Sequence, residues 1–271
     1  MLDRLRVSPR PRLAVHKFSS CDGCQLSILD CEEELLDLAG AVEIVYFAEA
    51  SSDLGSGPFD VAFVEGSVSI PEEVRRTQEI RAATGYLVAF GVCATAGGIQ
   101  ALRNLADGER MKRMVYPDPD LVAMLPTSTP HSAHVKVDFE IQGCPPNRVQ
   151  ILEVVARLLL GAPPQLATHS VCQECKRKGN VCVLVARELP CMGPVTHDGC
   201  GALCPSYDRA CYGCFGPMDD PKPERFSREF ELRGLPADEI VRRFQEITAG
   251  KEPFIRGAAR YMRKPSKGTG P

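Results

Sequence analysis

Thirteen cysteines in 271 residues are the feature that most restricts how this chain can fold. Packing alone does not require so many thiols, so they indicate either disulfide bonds or metal ligation. An odd number does not suit a closed set of disulfide pairs, and disulfides also need an oxidising compartment. Residues 1–20 are basic, and neither a long apolar stretch nor a small-residue cleavage site follows them. We therefore expect a cytoplasmic protein whose thiols stay reduced and bind metal.

The net charge and the apolar runs argue against two classes of partner. The chain carries 32 basic and 35 acidic residues, a net charge of -3, which offers no electrostatic basis for nucleic-acid binding. The best apolar stretch, residues 151–160, is too short to cross a membrane and contains Glu153 and Arg157. We expect neither a nucleic-acid partner nor a membrane span.

Strand and helix signals alternate over the first 160 or so residues. Apolar or β-branched runs that predict strands lie at residues 13–18, 42–48, 60–65, 87–90 and 135–141. Helical patterns lie at residues 26–38, from Pro71 onward, and at 149–160. This alternation predicts parallel βαβ units, and therefore an α/β fold with a doubly wound parallel sheet. We place this domain at residues 1–164.

The character of the chain changes near residue 165. Eight cysteines lie between Cys172 and Cys214, with glycine and proline among them and little apolar periodicity. Such a segment cannot pack an ordinary core, so we expect a smaller cysteine-rich domain at residues 165–271, with little regular structure, that folds around metal. A last helix is predicted near residues 236–247. The basic tail from Lys251 is interpreted as a solvated end, with a docking arm as the alternative.

Four of the five cysteines in the α/β domain follow predicted strands. Cys21 and Cys24 follow the first strand, Cys93 the fourth and Cys144 the fifth. The carboxyl ends of parallel strands open on one edge of a sheet, which brings these loops together. The sequence therefore predicts a four-thiolate site for zinc or an iron–sulfur cluster. Cys31, inside a helical pattern, is interpreted as a packing thiol.

The cysteines of the second half divide into two sets of four. The simplest division is sequential and leaves one CxxC motif in each set. One set is Cys172, Cys175, Cys182 and Cys191, and the other is Cys200, Cys204, Cys211 and Cys214. Spacing alone leaves zinc and iron–sulfur sites equally open. His169 is an alternative ligand in place of Cys172.

Five motifs stand out between residues 13 and 218. They are Cys21-Asp22-Gly23-Cys24, Glu65-Gly66-Ser67-Val68, Gly91-Val92-Cys93-Ala94, Gly143-Cys144-Pro145-Pro146 and Cys191-Met192-Gly193-Pro194. In this combination and order they resemble the small subunit of [NiFe]-hydrogenases. The all-cysteine run from Cys172 to Cys214 makes the chain most similar to the delta subunits of cytoplasmic NAD(P)-linked hydrogenases, also called sulfhydrogenases.

The resemblance implies a flavodoxin-like N-terminal domain and three [4Fe–4S] clusters. A proximal cluster would bind to Cys21, Cys24, Cys93 and Cys144. A distal cluster would bind to Cys172, Cys175, Cys182 and Cys191, and a medial cluster to Cys200, Cys204, Cys211 and Cys214. Oxygen-tolerant relatives carry two additional cysteines around the proximal cluster. Gly23 and Gly98 occupy those positions here, so that variant cluster is not expected.

The resemblance also implies that the H2-activating Ni–Fe centre lies in a separate large subunit, so this chain contains no catalytic residue of its own. Electrons would pass through the three clusters to an iron–sulfur subunit and then to a flavin subunit that reduces NAD(P)+, within a four-subunit complex. One alternative is a small subunit that serves a ferredoxin, a heterodisulfide reductase or a deazaflavin. Another is a zinc-stabilised interaction protein without redox activity.

Overall fold

Apolar runs that bury both faces form the strands of one sheet. The computed structural model describes residues 10–262. The strands are β1 (Arg12–Lys17), β2 (Glu43–Phe47), β3 (Phe59–Glu65), β4 (Thr84–Phe90) and β5 (Phe139–Ile141). Their order across the sheet is β2-β1-β3-β4-β5, and every neighbouring pair is parallel. The predicted α/β fold with a parallel sheet is therefore confirmed.

Helices cover both faces of this sheet, as a parallel sheet requires. They are α1 (Gly23–Leu29), α2 (Glu33–Ala41), α3 (Pro71–Ala83), α4 (Val92–Ala96), α5 (Gly108–Val115) and α6 (Arg148–Leu159), with a 3-10 helix at Gly98–Leu105. On one face, Ile151 and Val154 of α6 belong to the same buried cluster as Phe63 of β3. On the other face, Ile80 of α3 shares a buried cluster with Leu87 of β4. The sheet is thus doubly wound.

Two predicted elements have different bounds in the structure. The helix expected at residues 26–38 is interrupted, because Cys31 lies in a turn and Glu32 has a φ of 46°. The strand expected at residues 135–141 pairs only over Phe139–Ile141. Just before this strand, the Asp138 side chain accepts the backbone N–H of Leu87 at 2.9 Å. The side chain thus takes the place of a backbone carbonyl in the hydrogen-bond ladder between β4 and β5.

The cysteine-rich segment contains only short helices, namely α7 (Val171–Arg177), α8 (Val183–Ala186) and α9 (Leu203–Ser206). Three longer helices follow it: α10 (Pro223–Leu232), α11 (Ala237–Phe244) and α12 (Glu252–Ala259). Their buried phenylalanines Phe230, Phe244 and Phe254 pack edge to face, one after the other, with ring centroids 6.4 Å and 5.8 Å apart. These helices therefore build a second core after the cysteines.

Helix α11 matches the helix predicted near residues 236–247, but it is not the last one. The segment from Lys251, expected to be a solvated end, begins with α12, whose Phe254 is buried. The basic residues Arg263, Lys264 and Lys267 of that tail lie outside the described residues. The domain boundary after residue 164 stays a prediction. Among the described helices, none combines the length and the apolarity needed to cross a membrane.

Candidate metal centres

Loops at the carboxyl edge of the sheet carry the four cysteines of the first set. Cys21 follows β1, and Cys24 lies in the first turn of α1. Cys93 lies in α4, which begins two residues after β4, and Cys144 follows β5. The structure therefore brings three separate βα loops to the edge where a doubly wound sheet binds ligands.

Backbone hydrogen bonds join the loops after β4 and β5. The N–H of Gly91 donates to the carbonyl of Ile141 at 2.9 Å, and the N–H of Val92 donates to the carbonyl of Gly143 at 2.8 Å. These bonds continue the β4–β5 pairing past the ends of the strands. They fix the position of the loop that carries Cys93 relative to the loop that carries Cys144.

Two glycines leave room for the thiols at this edge. A Cβ at Gly91 would overlap Sγ of Cys24, and a Cβ at Gly98 would overlap Sγ of Cys93. Both glycines have a positive φ, 85° and 60°, which residues with a side chain rarely adopt. The two glycines thus let the backbone approach both sulfur atoms closely. The backbone and the thiols together form a cradle for a group larger than one thiol.

The four thiols are electrostatic neighbours, which means that the charge of one thiolate raises the pKa of another. Burial raises the pKa of Cys24, and the charges of Glu65 and Cys93 raise it further. Burial and the charge of Cys144 raise the pKa of Cys93 to about 11. Burial and the charge of Cys21 raise the pKa of Cys144. Because metals bind the thiolate form, a metal group bound here would supply the positive charge that this deprotonation needs.

Glu65 connects the sheet to this set. It is the last residue of β3, it is 1% exposed, and it accepts the backbone N–H groups of Cys24 at 3.1 Å and Gln25 at 3.3 Å. Burial raises the pKa of Glu65, and the N–H of Cys24 opposes that shift. The sequence assigns Glu65 no role beyond its place in a motif. The sequence feature that could have identified Glu65 is an acidic residue at the end of a buried, otherwise apolar strand.

The second set surrounds helix α7. Cys172 and Cys175 lie on α7, and Cys182 precedes α8. A Cβ at Gly193 would lie 3.4 Å from Sγ of Cys191 and 3.5 Å from Sγ of Cys172, so these two thiols face the same point of the backbone. Burial raises the pKa of Cys172 to about 11, and the charges of the other three thiols of this set raise it as well. The structure therefore brings these four cysteines together.

The third set lies between the other two. Burial raises the pKa of Cys214 to about 12, and the charges of Cys200 and then Cys144 add to the shift. Cys144 belongs to the first set, so the first and third sets are electrostatic neighbours. At the other side, the backbone N–H of Cys211 donates to Sγ of Cys191, in the second set, at 3.2 Å. The sets are thus arranged in the spatial order first, third, second.

Cys31 and His169, the two residues outside the predicted ligand sets, form other contacts. Cys31 is buried, and its thiol donates to the carbonyl of Ser27 at 3.4 Å. Burial raises the pKa of Cys31. The charged groups that also affect this pKa are Glu34, Arg148 and Asp30 rather than another cysteine. His169 is exposed, and its carbonyl accepts the N–H of Asp198 at 2.9 Å.

Neighbouring thiols do not by themselves make a site for one ion. Within residues 10–262, no three His, Cys, Asp or Glu side chains converge tightly enough to hold a single metal ion. Around zinc, all four ligands meet one ion at about 2.0–2.3 Å. In a [4Fe–4S] cluster, each thiolate binds a different iron atom.

The sequence is similar to known proteins over most of its length. The family described as NADH ubiquinone oxidoreductase, 20 Kd subunit, matches residues 21–158. Sulfhydrogenase 2 subunit delta of Pyrococcus furiosus is 36% identical over 86% of this chain and 98% of that protein. A subunit of the vhu F420-non-reducing hydrogenase of Methanococcus voltae is 34% identical over 79% of this chain and 85% of that protein.

The fold is similar to a solved structure that is also related in sequence. A chain from the crystal structure of an NAD+-reducing [NiFe]-hydrogenase in the H2-reduced state matches with a TM-score of 0.53 and 32% identity. The match covers 95% of that chain but 58% of this one. This chain is therefore longer than that relative by a substantial segment.

Proposed function

The chain belongs to the family of [NiFe]-hydrogenase small subunits, and we propose that it conducts electrons through three [4Fe–4S] clusters. It is an electron-transfer subunit of a hydrogenase, and H2 is activated in a partner chain. The electrons that leave the Ni–Fe site of a large subunit would pass along this chain to an iron–sulfur and flavin module that reduces NAD(P)+. This complex would work in the cytoplasm, where thiols stay reduced.

The spatial order of the three cysteine sets carries this proposal. Cys144 of the first set is an electrostatic neighbour of Cys214 in the third, and Cys211 of the third donates its N–H to Cys191 of the second. A series of carriers needs this arrangement, because each carrier must lie next to the following one. The third set is thus suited to the medial position, between a proximal first set and a distal second set.

The residues present fit iron–sulfur clusters. The first set would hold the proximal cluster through Cys21, Cys24, Cys93 and Cys144. The medial ligands would be Cys200, Cys204, Cys211 and Cys214, and the distal ligands Cys172, Cys175, Cys182 and Cys191. Bound clusters supply one-electron carriers. The protein contributes burial and hydrogen bonds to sulfur, such as the N–H of Gly213 that lies 3.5 Å from Sγ of Cys211.

An exposed apolar surface next to the first set supports contact with a large subunit. The N–H of Ile99 donates to the thiol of Cys93, while the Ile99 side chain is 61% exposed. Leu105, at the end of the same 3-10 helix, and Met114 and Val115, at the end of α5, are exposed as well. An apolar surface of this kind marks a protein contact. Its position would put the large subunit beside the proximal cluster.

Pyridine nucleotide is the acceptor we favour, because the chain from the NAD+-reducing [NiFe]-hydrogenase shares 32% identity with this one. The second candidate is a small subunit that serves another acceptor, such as a ferredoxin, a heterodisulfide reductase or a deazaflavin. Within this candidate, the relative at 34% identity favours a ferredoxin or a heterodisulfide reductase over a deazaflavin, because its hydrogenase from Methanococcus voltae is named as one that does not reduce the deazaflavin F420. The two candidates differ in the subunits attached to the distal end.

Anaerobic purification of the complex through a tag on this chain tests the proposal. We expect a brown preparation with about twelve irons per copy of this chain, a nickel-containing large subunit and a flavin subunit. H2 should reduce NAD(P)+ in this preparation. A colourless chain loaded with zinc would overturn the proposal. A complex that holds iron and nickel but lacks a flavin subunit would favour the second candidate.

A further inference from the structure

The surface around Cys182 combines an exposed thiol with positive charge. Cys182 is exposed, whereas Cys191 of the same set is buried. Residues 176–187 contain four cations and no acidic residue, although the whole chain carries a net charge of -3. The cations are Lys176, Arg177, Lys178 and Arg187. The distal end of the proposed electron path therefore opens onto a basic surface.

Three of these cations are available to a partner. Lys176, Arg177 and Lys178 are exposed and form no ion pair among the described residues. A helix C-terminus favours cations, which accounts for part of the preference at the end of α7. It does not account for the absence of acidic residues through the next turn and helix α8.

Exposed apolar side chains lie among these charges. Val181, Val185, Leu203 and Tyr207 are 61%, 67%, 58% and 74% exposed. The segments that carry them form one surface, because Nδ2 of Asn180 donates to Oγ of Ser206 at 3.0 Å. An ion pair of 2.7 Å between Arg187 and Asp208 joins them a second time. We call residues 176–187 together with 203–207 the Cys182 face.

We propose that the Cys182 face docks an acidic, partly apolar surface of the next electron-carrying subunit in the complex. This inference rests on the proposed function, since it places the distal cluster behind Cys182. Opposite charges would bring the partner into register, and the apolar side chains would be covered once it is bound. Exposed apolar groups of this size favour a resident subunit over a carrier that binds and leaves.

Charge reversal in the purified holoenzyme tests this inference. Lys176→Glu with Arg177→Glu reverses two charges of the face, and Arg225→Glu with Arg228→Glu is the matched control. Both control residues are exposed on α10 and form no ion pair in the described part of the chain. The neutral pair Lys176→Gln with Arg177→Gln serves as a second variant, because it disturbs the C-terminus of α7 less.

Three quantities are measured: the salt concentration at which the subunits separate, H2-dependent reduction of methyl viologen, and H2-dependent reduction of NAD(P)+. We expect the reversed variant to lose the partner subunit at lower salt and to reduce NAD(P)+ at least about tenfold more slowly. The neutral pair should show a smaller loss in the same direction. Viologen reduction should be unchanged in every variant, and the α10 control should match the wild type in all three quantities.

The outcomes separate this inference from the proposed function. If the reversed and neutral variants keep the partner subunit and the NAD(P)+ rate of the wild type, the docking inference is wrong and the electron path remains. Binding of the holoenzyme to anionic phosphatidylserine vesicles that the reversal abolishes, with subunits and rates intact, would assign the face to a membrane and also contradict the inference. If the wild-type complex holds no iron and reduces no viologen, the proposed function itself fails.

Discussion

The carboxylate of Glu65 shows how one buried side chain can orient a proposed metal ligand, Cys24. It accepts the N–H groups of the first turn of α1, which contains Cys24. Anionic groups are favoured at a helix N-terminus, and this one is held in place by the end of β3. The direction in which the Cys24 thiol points therefore depends on a residue from another element.

Glu65→Gln should alter the proximal cluster without removing it. The glutamine oxygen can accept one of the two N–H groups, whereas its amide nitrogen cannot accept the other, so about 1–3 kcal/mol of stability should be lost. We expect full iron content, measured by elemental analysis, with a changed EPR spectrum and reduction potential of the proximal cluster.

Glu73→Gln is the matched control for Glu65→Gln. Glu73 is also buried and also caps a helix, since it accepts the N–H groups of Ser69 at 2.7 Å and Ile70 at 3.2 Å, but it bonds to no cysteine. Because Oε2 of Glu73 accepts both N–H groups, a glutamine oxygen can keep both, so this variant should lower stability less than Glu65→Gln and leave the EPR spectrum unchanged. An unaltered spectrum in both variants would show that Glu65 does not position the ligand.

His16 gives the fold a pH dependence that the clusters do not explain. The ring is buried against Tyr46 and Phe59, and neither of its nitrogens has a hydrogen-bond partner within residues 10–262. Burial and the charge of Arg76 lower its pKa from 6.5 to about 3. Between these two pH values the unfolded chain binds a proton that the folded protein does not, so stability falls as the pH falls, by up to about 1.4 kcal/mol per unit.

His16→Phe should therefore stabilise the protein and remove the part of this slope that His16 contributes, while buried His131, whose pKa is also lowered to about 3, keeps its own part. Phenylalanine keeps the ring contacts and removes a buried N–H without a partner, which is worth about 1–3 kcal/mol. Denaturant unfolding between pH 7 and pH 5 measures both effects, with His169→Gln, at an exposed histidine, as the control. A variant with the wild-type slope would show that His16 is not held in its neutral form.

Among the secondary-structure elements, helix α12 is the one that the sequence pattern described least well. Five basic residues after Lys251 suggest a solvated end. However, Phe254 stacks on Phe244 and lies under Gly213, one residue before Cys214. Phe254, Gly257 and Ala258, spaced i, i+3 and i+4, form the buried face of this helix. Two of the three are too small to stand out as an apolar face in the sequence, so the face becomes visible only when its partners on other helices are known.

Phe254→Ala should destabilise the C-terminal part of the chain by about 3–5 kcal/mol, because it removes a fully buried ring. Ile255→Ala, on the same helix but 45% exposed, should cost less than about 1 kcal/mol. Thermal unfolding compares the two. Since Phe254 also supports the loop before Cys214, its loss should release the iron of the medial set first. Equal unfolding temperatures for the two variants would contradict this packing of α12.

Across the whole molecule, the three sets lie in series, so removal of the middle one should interrupt the electron path. Cys200→Ser with Cys214→Ser should lower the iron content from about twelve to about eight per chain. H2-dependent NAD(P)+ reduction should fall at least about a hundredfold, because the remaining sets are no longer neighbours.

Cys31→Ala is the control for this double variant, and its iron content and NAD(P)+ rate should equal those of the wild type. Rapid-freeze EPR after H2 addition should show the proximal cluster reduced and the distal cluster still oxidised in the double variant. Unimpaired NAD(P)+ reduction in that variant would mean that the electron path does not pass through Cys200 and Cys214.

Local sequence patterns were enough to predict the α/β class, the strands near their observed positions and the edge of the sheet at which Cys21, Cys24, Cys93 and Cys144 lie. They suffice for these features because strand alternation and the position of a loop after a strand are properties of neighbouring residues. The sequential division of the other eight cysteines is also a prediction from spacing, and spacing does not choose the metal.

Long-range contacts, in contrast, set which cysteine set lies between the other two. The third set in the chain is the middle one in space, because Cys214 comes beside Cys144 while Cys211 reaches Cys191. The hydrogen bonds of Glu65 to α1 are likewise visible only in the folded chain. Each of these features depends on contacts between residues far apart in the chain, and the free energy of such contacts leaves no periodic trace in the sequence.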